Sequence, residues 1–391
     1  MAEKKNHHYV PRYYLRRFSI TKKSINLVLR KSGDVLHSCS IKHQCKQALL
    51  YIDADVENCF GSIETCHCSL FTKIIAALDM GSTPSLDDAS KTTLYQAILF
   101  QRLRVPKRGQ QAVSDFHKLY KTALGEAYKH SSPQEDPRHF TLSSAARSLT
   151  DFCYISDLSI RYLINTTCYP FITSDNPVVF INHYLENIKH RGVLGLTTPG
   201  LIVVYPISPK YAILLVDTAK YEGSYKDKNI VHLDCKNDVS KINVLQLQNA
   251  GECIYFQGDS DADYLRKLWH AHSNNLSANE SNFSILTNAQ EANDVLMLSF
   301  ERQLPVLLRL SFLYCSPLNE RAYQFTRRCS LTEADKIHRK VSGDFRLSIE
   351  VIEKHLQNQN VVVNSLAKQV AESLRQLTRS EARQPAPAST G

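Results

Sequence analysis

The sequence predicts an α+β fold: a helical layer packed on a small, mostly antiparallel sheet, with a helical C-terminal extension. Three observations carry that expectation. Apolar residues recur at helical spacing through most of the stretch from 55 to 152. Between 159 and 256 the pattern changes to short runs of β-branched and aromatic residues separated by turn signals. From Asp261 onward helical patterns return. Helices and strands segregated along a chain in this way build layered α+β domains.

The elements follow in order. Pro11 suits the first turn of a short helix through Phe18, where a missing N–H is harmless. Ile25 to Arg30 and Val35 to Cys39 flank Ser32-Gly33-Asp34, a β-hairpin pattern. Asp55 to Leu78 reads as a long amphipathic helix. Ser85, with Asp88 three residues on, reads as the N-cap of a helix running to about Val105, which Pro106 breaks or kinks. Further helices are expected over Lys107 to Lys129 and Thr141 to Phe152, with a loop at residues 131–137 between them. The strands are Ser159 to Asn165, Phe171 to Ile181, Leu201 to Tyr205, Tyr211 to Val216 and Glu252 to Phe256. Asp238 to Asn249 is a helix between the last two. Ser273 to Asn282 reads as a polar linker, Leu296 to Leu313 as an apolar helix interrupted at Pro305, and Ile349 to Leu377 as an amphipathic helix. The expected organisation is a core over 1–258, a helical extension over 259–382 and a Pro/Ala/Ser/Thr-rich disordered tail over 383–391.

Composition bounds the function. Hydrophobic residues at 43% and charged residues at 22% predict an ordinary buried core. The net charge of +9 fits a nucleic-acid partner or simply a solvated basic surface. No stretch approaches the roughly 18 apolar residues of a membrane helix, and the basic N-terminus lacks the apolar run of a secretory signal. Eleven irregularly spaced cysteines predict a reducing, cytoplasmic setting. Cys59, Cys66, His67 and Cys68 invite a zinc reading, but their spacings miss the usual paired ligands. Cys59 and Cys66 also fall on the apolar stripe of Val56, Phe60, Ile63 and Leu70, which favours buried structural thiols.

Three polar strings carry the candidate chemistry. The first is His7-His8-Tyr9-Val10-Pro11. Imidazole is suited to proton transfer and metal ligation near neutral pH, and His beside an apolar-Pro pair also occurs in HNH-type nucleases. No further ligand follows on residues 12–20, so a metal site must recruit distant groups; the competing role is to pin the N-terminal arm. The second string holds Gln101, Arg104 and Arg108, which share one face if the helix survives Pro106. A planar guanidinium binds phosphate or carboxylate in a fork, or ties helices to the sheet through carboxylates. The third is Phe171-Ile172-Thr173-Ser174-Asp175-Asn176-Pro177. Here Asp175 is either a metal ligand or general base supported by Thr173, Ser174 and Asn176, or the cap of a β-bend. Glu64 on the long helix faces either solvent or the Arg cluster, and solvent is the preferred reading.

Together these strings resemble the bacterial domain-of-unknown-function family DUF4238. The resemblance rests on His7 to Phe18, Ile63-Glu64, Gln101-x-x-Arg104-x-Pro106, Phe171 to Pro177, Tyr205 to Pro209 and Asn249-Ala250, in matching order over roughly residues 6 to 258. The chain departs from the family pattern at Leu49-Leu50-Tyr51, where many members have an acidic-aromatic pair. The resemblance implies no established activity, but it implies one constellation of the His, Gln/Arg and Asp strings. The leading expectation is a metal-assisted, nuclease-like hydrolase acting on nucleic acid or a nucleotide, with bacterial anti-phage defence as a context by analogy. His7, His8 and Asp175 would be catalytic, with His8 and Asp175 holding a divalent metal. Gln101, Arg104, Arg108, Thr173, Ser174 and Asn176 would bind substrate. The alternative is a non-catalytic binding or sensor module whose polar residues form a structural network, with a protein partner on the C-terminal helices.

Overall fold

The computed structural model describes residues 6–51, 54–124, 136–188, 192–226, 228–276, 282–287, 295–301, 303–304 and 309–319. The chain enters on an arm, β1 (Asn6–His8), followed by α1 (Arg12–Leu15) and a 3-10 turn to Phe18. The hairpin β2 (Ser24–Leu29) and β3 (Val35–Ser40) comes next, then β4 (Lys46–Ala48), which pairs antiparallel with β1. Four helices follow: α2 (Ala54–Asp79), α3 (Asp88–Leu103), α4 (Pro106–Leu124) and α5 (Pro137–Asp151).

The remaining strands are β5 (Ser159–Asn165), β6 (Thr173–Ser174), β7 (Val179–Ile181), β8 (Ile202–Pro206), β9 (Tyr211–Val216), β10 (Ile230–Leu233) and β11 (Cys253–Phe256). Helix α6 (Lys236–Asn249) precedes β11, and α7 (Ala262–His272) follows it. A hairpin of β12 (Asn282–Thr287) and β13 (Val295–Phe300) completes the described elements.

Two main sheets result. One has the order β10-β5-β9-β8-β7 and is antiparallel except for β10, which runs parallel to β5. The other, β3-β2-β11-β6, is antiparallel throughout. Every residue of β5, β8 and β9 is buried, because the five-stranded sheet is covered on both faces. Ile160, Tyr162, Val203 and Ile213 pack toward Ile74, Leu94 and Ile98 of the helical layer. Val204, Leu214 and Val216 pack on the other side against Ile242 and Leu245 of α6 and against Leu310 and Phe312. A sheet buried on both faces reads as continuous apolar runs rather than alternation, and Tyr211-Ala-Ile-Leu-Leu-Val216 is such a run.

The α+β class is as expected, and the differences have local causes. The strand expected over Phe171 to Ile181 is two strands in different sheets, because Asp175-Asn176-Pro177 turns the chain from one sheet to the other. Strand β10 had no expectation; its four residues carry too short a pattern. Helix α3 starts two residues later than the Ser85 signal. Asp87 is its cap, its carboxylate accepting the Ser90 N–H at 2.8 Å. Of the two outcomes expected at Pro106 the break is the one found: α3 ends at Leu103 and Pro106 opens α4, while Pro137 opens α5 behind the Asp136 cap, both first-turn positions where proline fits. The apolar helix expected from Leu296 is strand β13 in its first part; so short an apolar run satisfies either period, and pairing with β12 decides it. The helix expected over Ile349 to Leu377 and the tail lie outside the described residues. Among the described residues no helix is long and apolar enough to cross a membrane.

Candidate functional site

The histidine pair is bound on both sides of the arm. The Nδ1 of His7 accepts the Tyr51 N–H at 3.0 Å, and its ring stacks on the Tyr51 ring at 5.4 Å. His8 donates from Nδ1 to the Gln44 carbonyl at 3.0 Å when that nitrogen carries the proton. Burial pushes the His8 pKa down to about 4, and the cations Arg12, Arg104 and Lys46 push the same way. The neutral form is thereby favoured at pH 7, and the Gln44 carbonyl, which can only accept, favours its Nδ1–H tautomer.

Arg104 is the pin beneath this arm. It sits at the C-cap of α3 with 1% of its surface exposed. Nε donates to the Tyr51 hydroxyl at 2.9 Å, Nη1 to Glu64 Oε1 at 2.5 Å and Nη2 to the His8 carbonyl at 2.6 Å. The face of the guanidinium lies 4.6 Å from the Phe100 ring centroid. Burial opposes its charge, but Tyr51 and Glu64 outweigh it and hold the group protonated. Gln101, one turn back on α3, donates to the Tyr9 carbonyl at 3.0 Å. Glu64 is thus not solvated but spent on Arg104.

Arg108 belongs to a different cluster. Helix α3 ends before it, so it does not share a face with Arg104. It forks onto Glu301 at 2.8 and 3.0 Å, beside Arg102, whose Nη2 reaches both Glu301 oxygens at 2.6 and 2.7 Å. Arg102 also donates to the Val178 carbonyl and lies over the Phe180 ring.

The Asp175 turn is held from α6. Asn243, Gln246 and Asn249 lie three residues apart on one face of that helix, and all are buried. Asn243 donates to the Pro170 carbonyl at 2.8 Å, Gln246 to the Pro177 carbonyl at 2.8 Å and Asn249 to the Asn176 carbonyl at 2.6 Å. Ser174 donates to Gln246, and Thr173 bonds the Tyr14 hydroxyl at 2.7 Å. Asp175 turns back onto the chain after α6: Oδ1 accepts the Gly251 N–H at 2.7 Å, and Oδ2 accepts those of Glu252 and Cys253 at 2.6 and 3.2 Å. Burial pushes the Asp175 carboxyl up, against the pull of these N–H groups and of Lys107.

The strings meet at a cavity of about 310 Å³. Tyr9 of the arm, Arg30 after β2, Lys107 in the first turn of α4, Asp175, Asn176 and Glu252 form its wall. His8 and Arg104 are not in that wall. Lys107 donates to the Asn249 carbonyl at 3.1 Å. Burial first, then the charges of Arg108 and Arg30, bring its amine down to about 7. Two polar atoms here are buried with no hydrogen-bond partner among the described residues: Arg30 Nε, a donor, and Asn176 Oδ1, an acceptor. A motif search aimed at catalytic strings passes over Arg30 and Lys107, since each is an ordinary basic residue in its own segment.

A family model described as a protein of unknown function, DUF4238, matches residues 6–260. The chain belongs to this family. The DUF4238 match begins with the arm and ends just past β11, so it spans every residue of the cavity wall. No curated protein and no solved structure matches the chain.

For metal, the donor set is thin. Among the described residues no group of three or more His, Cys, Asp and Glu side chains gathers in this DUF4238 chain, including around Cys59 to Cys68. The ten cysteines of those residues are free thiols. Both oxygens of Asp175 already accept N–H groups, and a zinc or magnesium site ordinarily draws on several protein ligands or retained waters.

Proposed function

We propose that the chain is a binding module whose cavity takes a small anion, or the phosphate or carboxylate of a larger ligand, without cleaving it. The observation that supports this reading is that Arg30 and Lys107 share the cavity wall, where burial and the neighbouring arginine charges bring the Lys107 amine down to about 7. An anion in the cavity relieves that like-charge crowding. The first turn of α4 adds the positive end of its dipole. Arg30 Nε is a spare donor, and Asn176 Oδ1 accepts a ligand hydroxyl or N–H.

The test is calorimetric titration with sulfate and pyrophosphate at low salt, at pH 6.5 and 8.5. Sulfate keeps its charge over this range, so any pH effect belongs to the protein. A bound anion favours protonated Lys107, so binding takes up a proton above pH 7 and affinity falls as pH rises. Lys107→Ala and Arg30→Ala should both weaken binding, and Lys107→Ala should remove the pH dependence. Failure of both anions to bind at pH 6.5, or binding indifferent to these substitutions, overturns the reading.

A hydrolytic reading has one observation in its favour: a lysine amine near 7 on the wall of a cavity can accept a proton from water at neutral pH. A divalent metal would then enlist His8 and Asp175, and the net charge of +9 suits nucleic acid. Incubation with DNA, RNA or nucleotides and Mg²⁺, Mn²⁺ or Zn²⁺ decides it. Cleavage lost in Lys107→Ala, His8→Ala and Asp175→Ala supports the enzyme, and no cleavage of any substrate rejects it.

A further inference from the structure

A second hollow shares part of its wall with the anion cavity. Arg30, Gly251 and Glu252 line both, and beyond them lies a space of about 880 Å³ bordered by Leu29, Trp269 and Leu276. Trp269 projects from α7 and is fixed in place. Its indole N–H donates to the Arg30 carbonyl at 2.9 Å. Its ring packs on Gly33, where φ is +78° and a Cβ would fall 2.6 Å from the ring. The same Arg30 donates its backbone N–H to the Glu252 carbonyl at 2.8 Å. One residue thus holds the aromatic ring through its backbone carbonyl and lines the anion cavity as well. The distance between an aromatic wall and a cationic pocket is set by a rigid strand end.

We infer that the two hollows together take a nucleoside phosphate, its phosphate in the Arg30–Lys107 cavity and its base against Trp269. The inference rests on the anion reading above and names the ligand class. A base is flat, apolar on its faces and polar at its edges. The second hollow has that mixed character, with Trp269, Leu29 and Leu276 beside Lys31, Ser32 and Asn274. A lipid tail would need an apolar enclosure without this polar border. Stacking of a base on an aromatic side chain is sequence-tolerant and strengthens binding by about fivefold or more.

The chain has a single tryptophan beside 19 tyrosines, so emission excited at the red edge, where tyrosine does not absorb, reports on Trp269. The experiment titrates the full chain with AMP, UMP, adenosine, ribose 5-phosphate and inorganic phosphate, read by fluorescence and by calorimetry. AMP is expected to quench the emission and to bind at least fivefold more tightly than ribose 5-phosphate. Trp269→Phe should keep most of that advantage, and Trp269→Leu should bring AMP down to the affinity of ribose 5-phosphate while inorganic phosphate binds as in the wild type. Because Trp269→Leu can disturb α7, Lys107→Ala supplies an independent arm. It should weaken AMP and inorganic phosphate together and leave the emission of the free protein unchanged. Phosphate binding with no advantage and no quenching for AMP overturns the nucleotide inference and leaves the anion site standing. Absence of binding by every phosphate compound overturns both. Quenching by adenosine as strong as by AMP, with no phosphate binding, overturns the two-part site.

Discussion

Removing the Arg104 guanidinium tests whether the histidine arm is a pinned structural element. Arg104→Ala deletes three hydrogen bonds from a charged donor, to Tyr51, Glu64 and the His8 carbonyl. Bonds to charged groups contribute about 1.5–3 kcal/mol each, but the three are not additive. Glu64 is 24% exposed and can turn to water, so its share is at the low end. The Tyr51 hydroxyl and the His8 carbonyl cannot, and each is left unpaired at about 1–3 kcal/mol. With the lost packing on Phe100, the net destabilisation is about 4 kcal/mol, inside the range for breaking a buried ion pair. Arg104→Lys keeps a charge but reaches fewer partners, and should lose about 2 kcal/mol. Urea unfolding followed by circular dichroism measures both. Hydrogen exchange adds a local readout, because the amides of Tyr9 and Tyr51 should lose protection beyond the global change. An Arg104→Ala protein within 1 kcal/mol of the wild type, with an unchanged Tyr9 amide, would refute the pin.

Three other outcomes are expected. Asp175→Asn replaces an oxygen that accepts N–H groups with an amide NH₂ facing one, and should lower stability by about 2–4 kcal/mol in urea unfolding; an unchanged midpoint refutes the capping role. Glu301→Gln takes the counter-charge from Arg102, which is 2% exposed, and should be destabilising by about 3 kcal/mol. Arg102 and Arg108 hold the Glu301 carboxyl below its ordinary value despite burial, so its contribution is present at neutral pH and is lost as pH falls below about 4.5; the variant should show a flatter acid limb. His8 has the same sense. Unfolded, it takes a proton below about 6.5, and folded only near 4, so stability declines as pH drops through that window. His8→Asn should reduce that decline, and an identical pH profile would contradict the assignment.

The class and most elements were legible because periodicity survives burial: α2 shows its apolar stripe, and β9 is an apolar run bounded by turns. What was not legible depends on partners far along the chain. Glu64 looks like any helical surface carboxylate until α3 brings Arg104 against it. Arg108 was grouped with Arg104 by spacing, yet its partner is Glu301, 193 residues away, and Pro106 separates the two arginines into different helices. The amides Asn243, Gln246 and Asn249 do recur at a helical period, a signal that a buried polar face was present, but nothing local says they face backbone carbonyls. His7, His8 and Asp175 attract notice for their chemistry, and the structure uses their hydrogen-bonding capacity at corners of the chain. The cavity itself was illegible, since Arg30 and Lys107 lie in unrelated strings.

The cavity wall also has a kinetic meaning. Tyr9 lies near the start of the family match and Glu252 near its end, so the wall closes only through contacts of high sequence separation. At synthesis rates of roughly 5–20 residues per second, ten seconds or more pass between the emergence of its first and last residues. Helices α2 and α3 have local hydrogen bonds and can form in that interval, whereas the cavity wall lacks Gly251 and Glu252 until the turn after α6 arrives. The pocket therefore closes only after residue 252 has been made, and chains that stop short of it carry α2 and α3 without the site.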